Sequence, residues 1–218
     1  MPLPKPPLAE PTALSGPAGA LQALIEIPQT ADGATPPVTA FAVVCHPHPL
    51  YGGTLDNKVV YTLARTLEQL GAPAIRFNFR GVGASEGRYD EGRGETGDAL
   101  AVIAYGRQRW PGAALWLAGF SFGGAVAVRA AAQGGPRRLI AVAPGVSIVP
   151  MRDAAPPECP WLIVQGDADE VVPPEAVRAW AQRLSPAPVL KILPGAGHFF
   201  HGRLNELREV VLEFMRAG

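Results

Sequence analysis

The sequence predicts one α/β domain in which helices cover both faces of a mostly parallel sheet. From residue 38 onward, short apolar runs alternate with helical periodicities, and this order is typical of a parallel sheet with right-handed crossovers. Several runs are almost continuously apolar, as strands buried on both faces are. A chain of 218 residues is long enough to bury one such core. No internal repeat stands out, which excludes a repeat protein.

The N-terminal region is predicted to be less regular. Nine of the 24 prolines fall within the first 37 residues. We expect residues 1–11 to form an extended lead-in and residues 12–218 to form the single domain. Residues 12–27 alternate weakly in polarity and contain Gly16 and Gly19, which predicts a short antiparallel hairpin.

The remaining elements alternate strictly. The predicted strands are the apolar runs 38–45, 72–79, 113–118, 138–143, 160–165 and 188–193. Apolar residues three and four positions apart predict helices within 59–70, 95–109, 177–184 and 204–214. The Ala-rich stretch 121–133 is apolar nearly all round, as a helix pressed onto a sheet would be.

Composition argues against several classes of partner and location. Nineteen basic and nineteen acidic residues give zero net charge, which offers no attraction for nucleic acid or an acidic membrane surface. Two cysteines outside any C-x-x-C pair form no disulfide framework. The charge-free stretch 110–128 contains Pro111 and several glycines, which favours a strand followed by a helix over a membrane span. Since no signal peptide is evident either, we expect a cytoplasmic protein.

The strongest chemical signal is Gly119-Phe120-Ser121-Phe122-Gly123, between a predicted strand and a predicted helix. A G-x-S-x-G turn in this context exposes a serine hydroxyl at the edge of the sheet, and its glycines avoid clashes with neighbouring segments. The N–H groups of the following helix favour negative charge that develops at the site. Ser121 is therefore the predicted nucleophile.

A nucleophilic serine needs a base, and the base needs a group that orients it. His198 follows the predicted strand 188–193, while Asp167 and Asp169 follow the predicted strand 160–165. These positions lie beyond the carboxyl ends of strands, where open α/β sheets bind their ligands. The chain order serine, aspartate, histidine is that of the α/β-hydrolase triad.

The sequence resembles the α/β-hydrolase family, and more narrowly the small bacterial hydrolases that lack a lid. The resemblance runs from about residue 12 to residue 216 and is carried by HPHPLYGGTLDNKVV, RFNFRGVGASEG, GFSFGG, QGDADEVVP and GAGHFFH. It implies a single-domain α/β-hydrolase fold and a catalytic triad of Ser121, Asp169 and His198. The family's acid stands in a G-x-x-D segment before V-x-P-like residues, which selects Asp169. Asp167 is then expected to form turn bonds within its own loop.

Two backbone N–H groups are needed to hold the oxyanion of the tetrahedral intermediate. The elbow supplies one from Phe122. The second is expected from the loop after strand 38–45, in which Pro47 and Pro49 have no N–H. The resemblance to the family's H-G-x loop favours His48 as this second donor.

This loop departs from the family pattern, because Pro47 stands where many relatives carry glycine. Leu50 and Tyr51 therefore stay open as the second donor. Tyr51 and Phe199 are expected to line a substrate pocket for an apolar group.

Three further features, the H-x-H pair, His201 and the Gly-rich loop 81–87, are expected to have structural roles. His46 and His48 form an H-x-H pair without a third ligand nearby, so no metal site is predicted. His201 is expected at the surface or at a helix start. The loop Gly81–Gly87 departs from the dinucleotide-binding fingerprint, and we expect a structural loop at the border of the active-site mouth.

The segment 144–159 is where related capped enzymes insert a lid. It has only 16 residues and four prolines, so no lid subdomain is predicted and the site should be an open groove. The predicted function is a serine hydrolase, without metal or organic cofactor, that cleaves small or short-chain carboxylic esters. A thioesterase or lactonase with the same triad stays open, as does a non-catalytic binding protein on this fold.

Overall fold

Eight strands form one sheet in the computed structural model, which describes residues 7–149, 151 and 154–217. The strands are β1 (Leu8–Gly16), β2 (Gly19–Ile27), β3 (Ala40–Cys45), β4 (Ala74–Phe77), β5 (Ala114–Phe120), β6 (Arg138–Val142), β7 (Trp161–Gly166) and β8 (Val189–Leu193). Their spatial order is β1-β2-β4-β3-β5-β6-β7-β8. The two pairings that involve β2 are antiparallel, whereas the pairings from β4 to β8 are parallel. The predicted mostly parallel sheet is confirmed.

Helices cover both faces of this sheet. They are α1 (Lys58–Glu68), α2 (Arg93–Arg109), α3 (Phe122–Gly134), α4 (Pro174–Ala181) and α5 (Leu204–Arg216). Successive residues of β3 point into two different apolar clusters, as the period of two along a strand requires. Phe41 and Val43 join the cluster beneath α2, α3 and α4, while Ala42 and Val44 join the cluster beneath α1 and α5. This burial on both faces explains the continuous apolar runs.

The N-terminal boundary of the domain differs from the prediction. The hairpin is present, but β1 already begins at Leu8 and pairs with β2 along its whole length. Residues 8–11, expected in the lead-in, therefore belong to the domain. Pro11 is tolerated because β1 is an edge strand, where a missing N–H need not break the ladder. Residues 1–6 of the predicted lead-in lie outside the described residues.

The charge-free stretch 110–128 is divided between β5 and α3, as predicted. Among the described residues, no helix combines the length and apolar character needed to cross a membrane. Between β6 and β7, the described residues form neither helix nor strand and therefore build no lid. Pro150, one of the prolines behind that prediction, lies outside the described residues.

The loop Gly81–Gly87 packs against the N-terminal hairpin. The N–H of Ala84 donates to the side chain of Gln22, and the carboxylate of Glu86 accepts from the N–H of Ala20. The loop does not line the cavity at Ser121, so its expected place at the active-site mouth is wrong. The hydrogen bonds that hold the loop against the hairpin join residues more than 60 positions apart in sequence, so a local pattern does not predict them.

Candidate active site

Ser121 occupies a strained turn between β5 and α3. Its φ of 55° and ψ of −122° are unusual for a residue with a side chain and place it in a sharp elbow. The N–H of Ser121 donates to the carbonyl of Val142 at 2.8 Å, and its carbonyl accepts from the N–H of Gly145 at 2.9 Å. These bonds anchor the elbow to β6 and to the segment that follows it.

The glycines of the elbow are required by close backbone approach. A Cβ atom on Gly123 would overlap the carbonyl oxygens of Cys45 and His46 at the end of β3. One on Gly119 would overlap the carbonyl of Gly123. Any larger residue would separate the elbow from the neighbouring strand, so both glycines set the height of Ser121 above the sheet.

The structure brings the three predicted side chains into one line of hydrogen bonds. Nε2 of His198 lies 3.0 Å from Oγ of Ser121. Nδ1 of His198 lies 2.8 Å from Oδ2 and 3.0 Å from Oδ1 of Asp169. All three residues are buried, and they follow β5, β7 and β8 at the carboxyl edge of the sheet.

Asp169 is held as a carboxylate by four N–H donors. Its Oδ1 accepts from the N–H groups of Val171 and Val172 at 2.9 and 2.8 Å, and Oδ2 accepts from Nε2 of Gln165 at 2.9 Å. Burial alone would raise the pKa of Asp169, but the hydrogen bonds from His198, Val172 and Val171 outweigh it and hold that pKa below its usual value. The charged carboxylate then keeps a proton on Nδ1 of His198 and leaves Nε2 free to face Ser121.

Two neighbouring carboxylates have different partners. Oδ1 of Asp167 accepts from the N–H of Gly195 at 2.6 Å, and Oε2 of Glu170 accepts from the N–H of His198 at 3.2 Å. Both therefore tie the loop after β7 to the loop that carries His198. The side chain of Asp167 was expected to accept hydrogen bonds within its own loop, but its partner Gly195 belongs to the loop that carries His198. The sequence pattern did not predict the contacts of Glu170 and Gln165 with the triad residues, although both stand within two residues of Asp167 or Asp169.

His46 fixes the start of the predicted oxyanion loop. Its ring is fully buried, and its two nitrogens lie 2.6 Å from the carbonyl of Pro47 and 2.9 Å from the backbone nitrogen of Phe79. The Phe79 N–H can only donate, so Nε2 accepts and Nδ1–H donates to Pro47. Burial lowers the pKa of His46 to about 4, so the ring is neutral near pH 7. With both nitrogens bonded to backbone, His46 cannot serve as a metal ligand here.

The internal bonds of the loop narrow the choice of the second oxyanion donor. The N–H of Tyr51 donates to the carbonyl of His48 at 3.1 Å, and the N–H of Leu50 donates to Nδ1 of His48 at 3.2 Å. In the described part of the chain, the N–H groups of His48 and Phe122 have no acceptor. Among the three candidates for the second donor, His48 is thus the one whose N–H has no acceptor in the described residues, and its role as oxyanion donor stays a prediction.

A cavity of about 410 Å³ opens at Ser121. It is lined by Pro47, His48, Tyr51, Gly52, Gly53, Asn57, Ser121, Ile148, Val171, His198 and Phe199. Both predicted pocket residues are among them, and Tyr51 is 86% exposed. No Asp, Glu, Lys or Arg contributes to this lining among the described residues. The described residues also hold no group of three or more His, Cys, Asp or Glu side chains suited to a metal ion.

Solved structures with the same fold include two with substantial sequence identity. A lidless α/β serine hydrolase from Xanthomonas campestris has a TM-score of 0.88 and 43% identity, with 99% of this chain and 97% of that chain covered. An α/β serine hydrolase homologue from Coxiella burnetii has a TM-score of 0.87 and 45% identity, with 94% and 96% covered. Est1E of Butyrivibrio proteoclasticus, solved with ferulic acid bound, is 20% identical at a TM-score of 0.79, with 94% and 97% covered, and shares the fold alone.

Sequence comparisons agree with the structural ones. The family model of the α/β hydrolase fold matches residues 44–159, which include the predicted oxyanion loop and the serine elbow. An uncharacterized protein of Rickettsia prowazekii is 36% identical over 192 residues, which cover 84% of this chain and 81% of the relative.

Proposed function

Because the chain belongs to the α/β-hydrolase family, we propose that it is a serine hydrolase that cleaves small, uncharged carboxylic esters through an acyl-enzyme on Ser121. The observation that carries this proposal is the buried line of hydrogen bonds from Ser121 through His198 to Asp169. A protein that only bound ligands would have no need of a strained serine with an oriented base beside it.

The reaction proceeds in two halves. Oγ of Ser121 attacks the ester carbonyl while Nε2 of His198 takes the hydroxyl proton, and Asp169 stabilises the imidazolium through Nδ1–H. The N–H groups of Phe122 and His48 bind the oxyanion. His198 then gives its proton to the leaving alkoxide, and the alcohol departs. In the second half, water attacks the acyl-enzyme by the same route, and release of the carboxylic acid restores Ser121.

The cavity supports an uncharged substrate. A carboxylate or ammonium group on the substrate would lose hydration against a lining that offers it no opposite charge. The partner proposed is therefore a small neutral acyl ester, and neither nucleic acid nor a membrane is part of the proposal. The cytoplasm stays the proposed location, where the two free cysteines would remain reduced.

Initial rates on matched substrates test this function. We expect the purified chain to hydrolyse p-nitrophenyl butyrate with a higher kcat/KM than mono-p-nitrophenyl succinate, whose acyl chain has the same length but ends in a carboxylate. A butyryl ester should also exceed a butyryl thioester that has a matched leaving-group pKa. Better turnover of the succinate would contradict the neutral-substrate proposal, and better turnover of the thioester would make the protein a thioesterase.

Ser121→Ala is the matched control for each substrate. It removes the nucleophile, so kcat should fall at least about 10³-fold, since the covalent route is lost. The folded state should persist, because the elbow is held through backbone groups of residue 121. Near-native turnover by this variant would remove Ser121 from the mechanism.

A further inference from the structure

The side chain of His48 makes contacts that the proposed reaction does not use. Its Nδ1 accepts from the N–H of Leu50 at 3.2 Å, and its Nε2 lies 3.2 Å from Oη of Tyr89. The ring centroid lies 5.0 Å from those of both Tyr89 and Phe122, and 4.7 Å from that of Tyr51. One imidazole thus joins the oxyanion loop, the segment between β4 and α2, and the residue after the nucleophile.

These hydrogen bonds determine which ring nitrogen of His48 carries the proton. A backbone N–H can only donate, so Nδ1 must accept and stays unprotonated. The neutral imidazole then carries its proton on Nε2 and donates it to the hydroxyl oxygen of Tyr89. Partial burial lowers the pKa of His48 and favours this neutral form near pH 7.

Buried groups of the protein anchor the segment that carries Tyr89. The fully buried carboxylate of Glu95 accepts from the N–H groups of Asp90 and Gly92, each at 2.8 Å. The chain beyond Tyr89 is therefore anchored on α2. On its other side, the ring of Tyr89 lies 5.8 Å from that of Phe122. The backbone beyond Tyr89 is thus anchored by a buried carboxylate, and its ring lies against Phe122, while its hydroxyl faces His48.

We propose that Tyr89 and His48 form a positioning pair, in which the hydroxyl of Tyr89 fixes the imidazole of His48 and thereby the backbone N–H that binds the oxyanion. This inference rests on the proposed function. The oxyanion exists only in the transition state and intermediates, so a loosened loop lowers kcat and leaves KM nearly unchanged. A purely structural tyrosine would lower stability without this split.

Tyr89→Phe tests the pair, because it removes the hydroxyl and keeps the ring. We expect kcat on p-nitrophenyl butyrate to fall about two- to tenfold, the range that one neutral hydrogen bond supports, with KM changed less than about twofold. The inhibition constant of phenylboronic acid, which adds to the serine as a tetrahedral anion, should rise by a similar factor. An unchanged kcat, or a loss confined to KM, would overturn the proposal.

Tyr105→Phe is the matched control, since Tyr105 is another half-buried tyrosine and lies on α2, with its side chain against the core. It should leave kcat and KM within about twofold of the unmodified protein. If it lowered kcat as much as Tyr89→Phe does, the effect would belong to packing in general, and the pair would be refuted.

A double-mutant comparison tests whether Tyr89 acts through His48. Asn at position 48 keeps an oxygen that can accept from the N–H of Leu50, but it has no group in place of Nε2. In the His48→Asn background, Tyr89→Phe should therefore change kcat by less than about twofold. A further loss as large as in the unmodified protein would overturn the proposed route.

An NMR measurement separates this inference from the proposed function. Long-range ¹H–¹⁵N correlations of the imidazoles report the tautomer of His48 without any substrate. Absence of ester turnover by the unmodified protein would refute the proposed function alone. The pair predicts the Nε2–H tautomer for His48 at neutral pH and a changed Nε2 shift in Tyr89→Phe. An Nδ1–H tautomer would overturn the pair even in an active enzyme.

Discussion

At the scale of single residues, hydrogen-bond partners rather than residue type decide which aspartate serves the proposed base. Asp167 and Asp169 stand two positions apart in one loop. Only Asp169 meets Nδ1 of His198, while Asp167 accepts from a backbone N–H of the adjacent loop. The family's G-x-x-D pattern singled out the aspartate that lies against His198 in the structure. The partner of Asp167 was not predictable, because it depends on how two loops that are distant in sequence meet.

Asp169→Asn should lower kcat by about 10⁴-fold, because the amide would favour the wrong tautomer of His198. Asp167→Asn should cost far less, since it leaves the imidazole bonds untouched. Ester kinetics on the two variants, with thermal melts to verify folding, give the comparison. A larger loss from Asp167→Asn would mean that the acid is misassigned by two residues.

His46 predicts a loss of stability in mild acid. Its pKa is lowered to about 4 in the folded protein, while an unfolded histidine titrates near 6.5. The unfolded chain therefore binds more protons between these values, and stability falls as the pH drops from 6.5 towards 4. Between pH 7.5 and 5.0 this one group should remove about 2 kcal/mol of unfolding free energy.

Urea unfolding of the unmodified protein and of His46→Gln at the two pH values isolates this contribution. The variant should be less stable at pH 7.5 but should lose about 2 kcal/mol less on acidification. His201→Gln, at an exposed histidine, is the control and should follow the unmodified protein. Equal pH dependence in all three proteins would contradict the assignment of a buried, neutral His46.

At the scale of elements, the elbow is held where β3, β5 and α3 converge, and glycine is the only residue that fits there. Gly123 approaches the carbonyl oxygens at the end of β3, whereas a methyl group at Gly97 in α2 would meet its neighbours only at ordinary van der Waals distances. The two glycines both lie in helices, so they form a matched pair for substitution by alanine.

Gly123→Ala should destabilise the protein by about 1–3 kcal/mol and should abolish most ester turnover, because the elbow must move away from β3. Gly97→Ala should leave activity unchanged and stabilise the protein by about 0.5–1 kcal/mol through helix propensity. Denaturant midpoints and ester rates measure both effects. Retention of full activity by Gly123→Ala would contradict the close approach.

At the scale of the whole molecule, the sequence predicted those features that repeat a local pattern. Continuous apolar runs and helical stripes located the strands and helices of the sheet, since both faces are buried. The start of β1 was missed, because proline discourages a strand interior but is tolerated at an edge. The loop Gly81–Gly87 was misplaced, because its position follows from bonds to the hairpin. Both errors concern features that depend on the assembled sheet and not on a local sequence pattern.

The open cavity predicts a preference for short acyl chains. Exposed apolar side chains line it, among them Tyr51, Ile148, Val171 and Phe199, and in the described residues nothing closes over them as a lid. Each buried CH₂ adds only about 0.8 kcal/mol even when burial is complete, and this site buries little of a long chain. Rates on p-nitrophenyl esters of increasing chain length should therefore be highest for short chains. A maximum at long chains, or activation at an oil–water interface, would contradict an open site.

The covalent intermediate on Ser121 is the claim on which the proposed function depends, and labelling with a fluorophosphonate probe tests it most directly. Intact-mass analysis should show one adduct, and peptide mapping should place it on Ser121. His198→Ala should slow labelling, because the base that activates the serine is lost, and Ser121→Ala should not be labelled at all. An adduct on another residue, or no adduct on a folded protein, would contradict the assignment of Ser121 as the nucleophile.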